Sequence, residues 1–155
     1  NQGFETLVRT PMDGPLQGAR IVIAERSIDE QGNLFAAILE GPKRGILKIV
    51  RSNEFDVTDG AFLPDGDLLL LERRFSLASG VAMRLRRIEG ASVLPGALLD
   101  GPVLVEANLG YNIDNMEALD VWRRSDGEPV VSLLSDNNQS FLQRTLYLEF
   151  ILHDE

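Results

Sequence analysis

One phrase occurs three times in the same order along this chain, and such a repeat constrains the architecture more than any single residue does. Each copy opens with an acid, then a small residue, then apolar ones: Gly3-Phe4-Glu5-Thr6-Leu7, Thr58-Asp59-Gly60-Ala61-Phe62 and Asn115-Met116-Glu117-Ala118-Leu119. From Glu5 to Asp59 is 54 residues, and from Asp59 to Glu117 is 58. A turn follows each time, at Pro11-Met12-Asp13-Gly14, Pro64-Asp65-Gly66 and Ser125-Asp126-Gly127. Asp-Gly accepts the positive φ of a tight hairpin, so it joins two antiparallel strands. After the turn comes an apolar run ending in an acid: Ile21-Val22-Ile23-Ala24-Glu25, Leu68-Leu69-Leu70-Leu71-Glu72 and Val130-Val131-Ser132-Leu133-Leu134-Ser135-Asp136.

A run without alternation implies a strand buried on both faces. The next segments, Met83-Arg84-Leu85-Arg86 and Leu146-Tyr147-Leu148-Glu149-Phe150, alternate and predict strands with one drier and one wetter face. Ile46–Val50 and Val103–Ala107 predict the outermost strands of the first two repeats. No segment sustains a 3.6-residue period. The expected fold is all-β: consecutive four-stranded antiparallel blades of a partial β-propeller, about three repeats covering roughly residues 1–56, 57–114 and 115–155. The alternative is a β-sandwich with an accidental echo. Propellers close with four to eight blades. The chain therefore reads as a piece of a longer protein, its ring completed by further blades of the parent chain or by a second copy.

The sequence has 15 Lys+Arg against 24 Asp+Glu, a formal charge of −9. That excludes nucleic acid as the main partner, since phosphate backbones need a basic surface. Apolar runs as short as Leu68–Leu71 exclude membrane insertion by a helix. With no cysteine, thiolate catalysis and Cys-ligated metals are excluded. The only histidine is His153, so a Ser-His-Asp triad would rest on a terminal residue. There is neither a Gly-x-Ser-x-Gly elbow nor a phosphate-cradling glycine loop. Gly41-Pro42-Lys43-Arg44-Gly45 reads as a hairpin turn, and Trp122 as a packing residue in the loop after an inner strand.

The acids carry what chemistry the chain offers. In each repeat one acid starts the innermost strand and another ends the second strand, so antiparallel pairing sets them side by side. Glu5 with Glu25, Asp59 with Glu72, and Glu117 with Asp136 are expected as three pairs at one mouth near the axis. Clustered carboxylates need a cation, a proton or an arginine. Calcium, with six to eight oxygen ligands, suits such a ring, and Asn137 and Asn138 can add amide oxygens. Arg26, Arg73 and Arg74 follow the strand ends and are candidates to grip a phosphate. The plainer alternative is that these acids accept backbone N–H bonds in turns or form surface ion pairs.

Gly3-Phe4-Glu5-Thr6-Leu7, Asn115-Met116-Glu117-Ala118-Leu119 and Leu134-Ser135-Asp136-Asn137-Asn138 resemble the bacterial "esterase-like activity of phytase" family, in its later half. The resemblance implies a propeller similar to β-propeller phytases and export to the periplasm or beyond. It also implies an acidic calcium mouth that binds phosphate, and hydrolysis of phosphate or other esters, with Glu5, Asp59, Glu117 and Asp136 as ligands or base. A non-catalytic module that binds a small ligand or a protein partner in the cell envelope, and a scaffold without small ligand, are the rival readings, because fold does not imply function.

Overall fold

A computed structural model describes residues 3–77, 80–141 and 143–152, so His153 lies outside the described residues. Among the described residues the fold is all-β, apart from one 3-10 turn at Gly90–Ser92. The first sheet holds β1 (Phe4–Arg9), β2 (Arg20–Ile28), β3 (Leu34–Ile38) and β4 (Gly45–Ile49), antiparallel and in that order. The second holds β5 (Asp56–Phe62), β6 (Leu68–Ser76) and β7 (Gly80–Ile88). After β7 the chain crosses back: β8 (Leu98–Leu99) adds to the outer edge of the first sheet, parallel to β4, before β9 (Val103–Asn108) completes the second. The third sheet is β10 (Met116–Arg123), β11 (Pro129–Ser135) and β12 (Tyr147–Ile151).

The three innermost strands, β1, β5 and β10, lie beside one another, so the sheets stack as propeller-like blades and close no barrel. The unbroken run Leu68–Leu71 shows why. Leu68 and Leu70 enter one core with Ile21, Ile23, Leu34, Leu47 and Ile49 of the first sheet. Leu69 and Leu71 enter a second core with Met116, Leu119, Val131 and Leu133 of the third. Period-two alternation thus buries one strand against two neighbours, worth roughly 2 kcal/mol per leucine.

Several details differ from the sequence reading. The first sheet has five strands, not four, because β8 is lent to it by the second repeat. Gly66 (φ 98°) and Gly127 (φ 92°) make tight hairpins, but the first Asp-Gly does not. There the loop runs from Thr10 to Ala19, and its left-handed residues are Gln17 and Gly18. Trp122 lies within β10 rather than after it. The largest departure is β7, whose expected wet face is dry: Arg84 and Arg86 are 2% and 1% exposed. Both donate to Glu72, at 2.6 Å each, and Glu72 is itself fully buried. Arg84 also stacks 4.3 Å from the centre of the Phe55 ring, and Arg86 donates to Asp100 and to the Val50 carbonyl. Alternating arginines look solvated in a sequence, yet their planar forks fill an interior when a carboxylate neutralises them.

Candidate functional site

Each inner strand carries a β-bulge at the same place. The ladder skips one residue between Phe4 and Thr6, between Val57 and Asp59, and between Met116 and Ala118. The skipped residues are Glu5, Thr58 and Glu117. A bulge leaves its extra residue unpaired and re-aims the side chain, here toward the mouth between the sheets. The second strands follow the same register. Arg73 is paired with Asp56, while the amide of Glu25 donates to Gly3 O and that of Asp136 to Asn115 O. Glu25, Arg73 and Asp136 are therefore equivalent.

The middle repeat is thus one residue out of step with the sequence alignment. Thr58, not Asp59, matches Glu5 and Glu117; Arg73, not Glu72, matches Glu25 and Asp136. A pocket of about 320 Å³ at this end is lined by Glu5, Glu25, Thr58, Arg73 and Glu117. Of the expected pairs, the structure brings Glu5, Glu25 and Glu117 together with Arg73 and takes the others elsewhere.

Asp59 stitches sheets: its carboxylate accepts from the Leu119 amide at 2.8 Å and from the Gly60 amide. Burial raises its pKa above the ordinary aspartate value, and the two amides oppose that rise. Glu72 is sealed between Arg84 and Arg86. Asp136 accepts from the Asn138 amide and Asn137 from that of Gln139, both closing local turns. Arg26 reaches across to Asp56 at 2.7 Å, which Arg51 also holds. Arg74 lies 4.8 Å from the centre of the Phe55 ring and donates to Asn53 O.

Arg73 remains. One Nη donates to Glu117 Oε1 at 3.2 Å and to Asn115 Oδ1, and Asn115, 1% exposed, also donates to Glu117. Its Nε–H and second Nη have no partner among the described residues and are available to a ligand. The Thr58 hydroxyl donates to Met116 O of the neighbouring strand, fixing the wall between them. Thr58 and Asn115 escaped the sequence reading; sliding the middle repeat by one residue would have exposed Thr58.

The donor set does not fit calcium. Among the described residues no three acidic side chains stand close enough together to hold a metal ion. The mouth already holds a fixed cation, the Arg73 guanidinium paired with Glu117. A second cleft, of about 200 Å³ at the opposite end, is lined by Leu63, Asp65, Arg87 and Arg123, but Arg87 is committed to Asp65 and Asp67. Among the described residues no helix is long and apolar enough to cross a membrane.

A comparison with protein families matches residues 1–139 to the phytase-like family described as "Esterase-like activity of phytase". The matched residues leave out only the last 16 of the chain, and they take in all three bulges and the whole pocket. Searches of curated proteins and of solved structures each found no match. With a shared family over nine-tenths of its length and three stacked antiparallel sheets beneath it, this chain belongs to the phytase-like family.

Proposed function

We propose that this chain supplies the binding mouth of an exported ester hydrolase. The observation that carries the reading is Arg73: a guanidinium anchored by Glu117 and Asn115, with unused N–H donors, in a pocket shared with Glu5 and Glu25. Three glutamates against one arginine leave the mouth negative. That charge favours an uncharged carboxylic ester over a phosphate dianion. The free N–H groups of Arg73 donate to the ester carbonyl and hold the charge that develops on it. Glu25 has no hydrogen-bond partner on its carboxylate among the described residues, and it serves as the base. It takes a proton from water as the water oxygen bonds to the carbonyl carbon. The acyl–oxygen bond then breaks, and the proton passes to the leaving alkoxide to give acid and alcohol.

The test is hydrolysis of 4-nitrophenyl acetate by the purified chain. Arg73→Ala is expected to lower kcat/KM about 100-fold, with partial recovery in Arg73→Lys, and Glu25→Gln to lower kcat about 100-fold with KM little changed. Arg20→Gln, in an exposed pair with Glu40, is expected to change nothing. Turnover that is absent, or that survives Arg73→Ala, returns the mouth to a non-catalytic binding module.

A further inference from the structure

The apolar seam between the first and second sheets stops short of the mouth. Ile21 and Ile23 of β2 pack with Val57, Leu68 and Leu70, but the residues that follow toward the mouth are Glu25 and Arg26 on β2 and Glu72 on β6. Apolar contact is non-directional, so it sets a spacing only loosely. At this end a side-chain bond joins the sheets instead. Arg26 Nε donates to Asp56 Oδ2 at 2.7 Å, from β2 to β5. The other oxygen, Oδ1, accepts at 2.8 Å from Arg51, in the segment that connects the two sheets. Asp56 is 4% exposed, and both of its oxygens are engaged.

Both ends of this bond sit beside the mouth. Arg26 is the residue after Glu25. Asp56 lies directly across the ladder from Arg73. The bond therefore ties the backbone that carries Glu25 to the backbone that carries Arg73. On the far side Arg73 is held independently, since Asn115 and Glu117 fix its guanidinium from the third sheet. Neither Arg26 nor Asp56 lines the mouth, which is walled by Glu5, Glu25, Thr58, Arg73 and Glu117. Their effect on it is one of placement.

We propose that Arg26 and Asp56 form a strut that sets the separation of Glu25 from Arg73, which makes both of them positioning residues of the mouth. Its effect on turnover rests on the hydrolase reading; its effect on the spacing of the two sheets does not. A base that takes a proton from water has to stand where that water reaches a carbonyl held on Arg73, and a displacement of about 1 Å costs up to roughly 100-fold in rate. Binding of the carbonyl by Arg73 needs no such separation. Loss of the strut therefore falls on kcat rather than on KM.

Arg26→Gln tests this, because the Arg26 side chain is 56% exposed and Asp56 keeps Arg51, so the variant folds. With 4-nitrophenyl acetate, kcat is expected to fall about 10- to 100-fold while KM stays within a factor of about two. Asp56→Asn is expected to do the same, and Arg26→Lys, which keeps the charge, to recover part of the loss. The separation is also read without turnover. The chain has no cysteine, so spin labels go only to Ile28→Cys on β2 and Phe75→Cys on β6, both at exposed positions. Double electron–electron resonance on labelled chain diluted with unlabelled chain is expected to give one narrow distance distribution. Adding Arg26→Gln or Asp56→Asn is expected to broaden or displace it. A distribution indifferent to both substitutions overturns the inference, as does a KM that rises while kcat holds. Broadening in a chain that turns over no ester keeps the strut and removes the hydrolase. Turnover that needs Arg73 but ignores Arg26 keeps the hydrolase and removes the strut.

Discussion

Asp59 sits where two sheets meet, and its charge is expensive there. Its carboxylate satisfies the Leu119 amide, which the inner edge of β10 would otherwise leave open, but burial raises its pKa, and the nearby charge of Asp120 adds to the rise. The unfolded chain releases this proton at the ordinary aspartate value, below the folded one. Between the two values the folded state holds more protons, so the contribution of Asp59 to stability falls as pH rises through that window. Asp29, held well below the usual range chiefly by its hydrogen bond from Lys48, contributes with the opposite sign. The informative quantity is therefore the difference between wild type and Asp59→Asn. Urea denaturation from roughly pH 3 to 7 is expected to show the variant gaining relative stability as pH rises, because Asn keeps one acceptor and carries no charge. A difference independent of pH would show that the carboxylate is not strained by burial.

At the scale of elements, β8 is the part that no pattern announced. Two residues of the second repeat, Leu98 and Leu99, run parallel to β4 and clasp the first sheet, so that Lys48 and Val50 donate to Ala97 O and Leu99 O. The segment that delivers them begins at Gly90, packed so tightly on the β5–β6 turn that a Cβ would lie 2.0 Å from Gly66 O. Backbone on both sides leaves nothing flexible to yield. Gly90→Ala is expected to cost about 1–3 kcal/mol and to speed hydrogen exchange at the Lys48 and Val50 amides. Unchanged exchange there would detach the clasp from Gly90. The inner and second strands were legible because Leu68–Leu71 and its counterparts satisfy two cores at once, a demand that a sequence shows openly. The register of β5 was not, because Asp59 looks like Glu5 and Glu117 in letters whereas the ladder puts Thr58 in their place. The buried Arg84 and Arg86 were also hidden, since what makes them core residues is Glu72 on the next strand, a contact between strands rather than a local pattern.

At the scale of the molecule, the stack presents two sheet faces with no neighbour among the described residues. On the first sheet the row Leu7, Val22, Ala37 and Ile46 faces outward, with Arg9 and Arg20 in the row beside it. On the third sheet Ala118, Leu134 and Tyr147 form one outward row, and Trp122 and Ile151 flank the buried Val130 in another. Between them lies the acidic row Asp120, Ser132 and Glu149. The apolar rows match, and Arg9 on one face answers an acidic row on the other, Arg20 being paired with Glu40. The two faces therefore suit a second copy in head-to-tail contact, repeating the stacking seen between the three sheets. Such a contact is heterologous and closes into a ring or extends as a chain according to its angle. Sedimentation at micromolar concentration is expected to show species larger than the 17.1 kDa monomer, with association weakened by salt because part of the attraction is ionic. Leu134→Lys on one face, or Leu7→Glu on the other, is expected to return the chain to monomer. Mixing the two variants is expected to restore pairs, because each retains the face that the other lost. A monomer that stays dispersed at high concentration and binds no apolar dye would show that these faces need no partner.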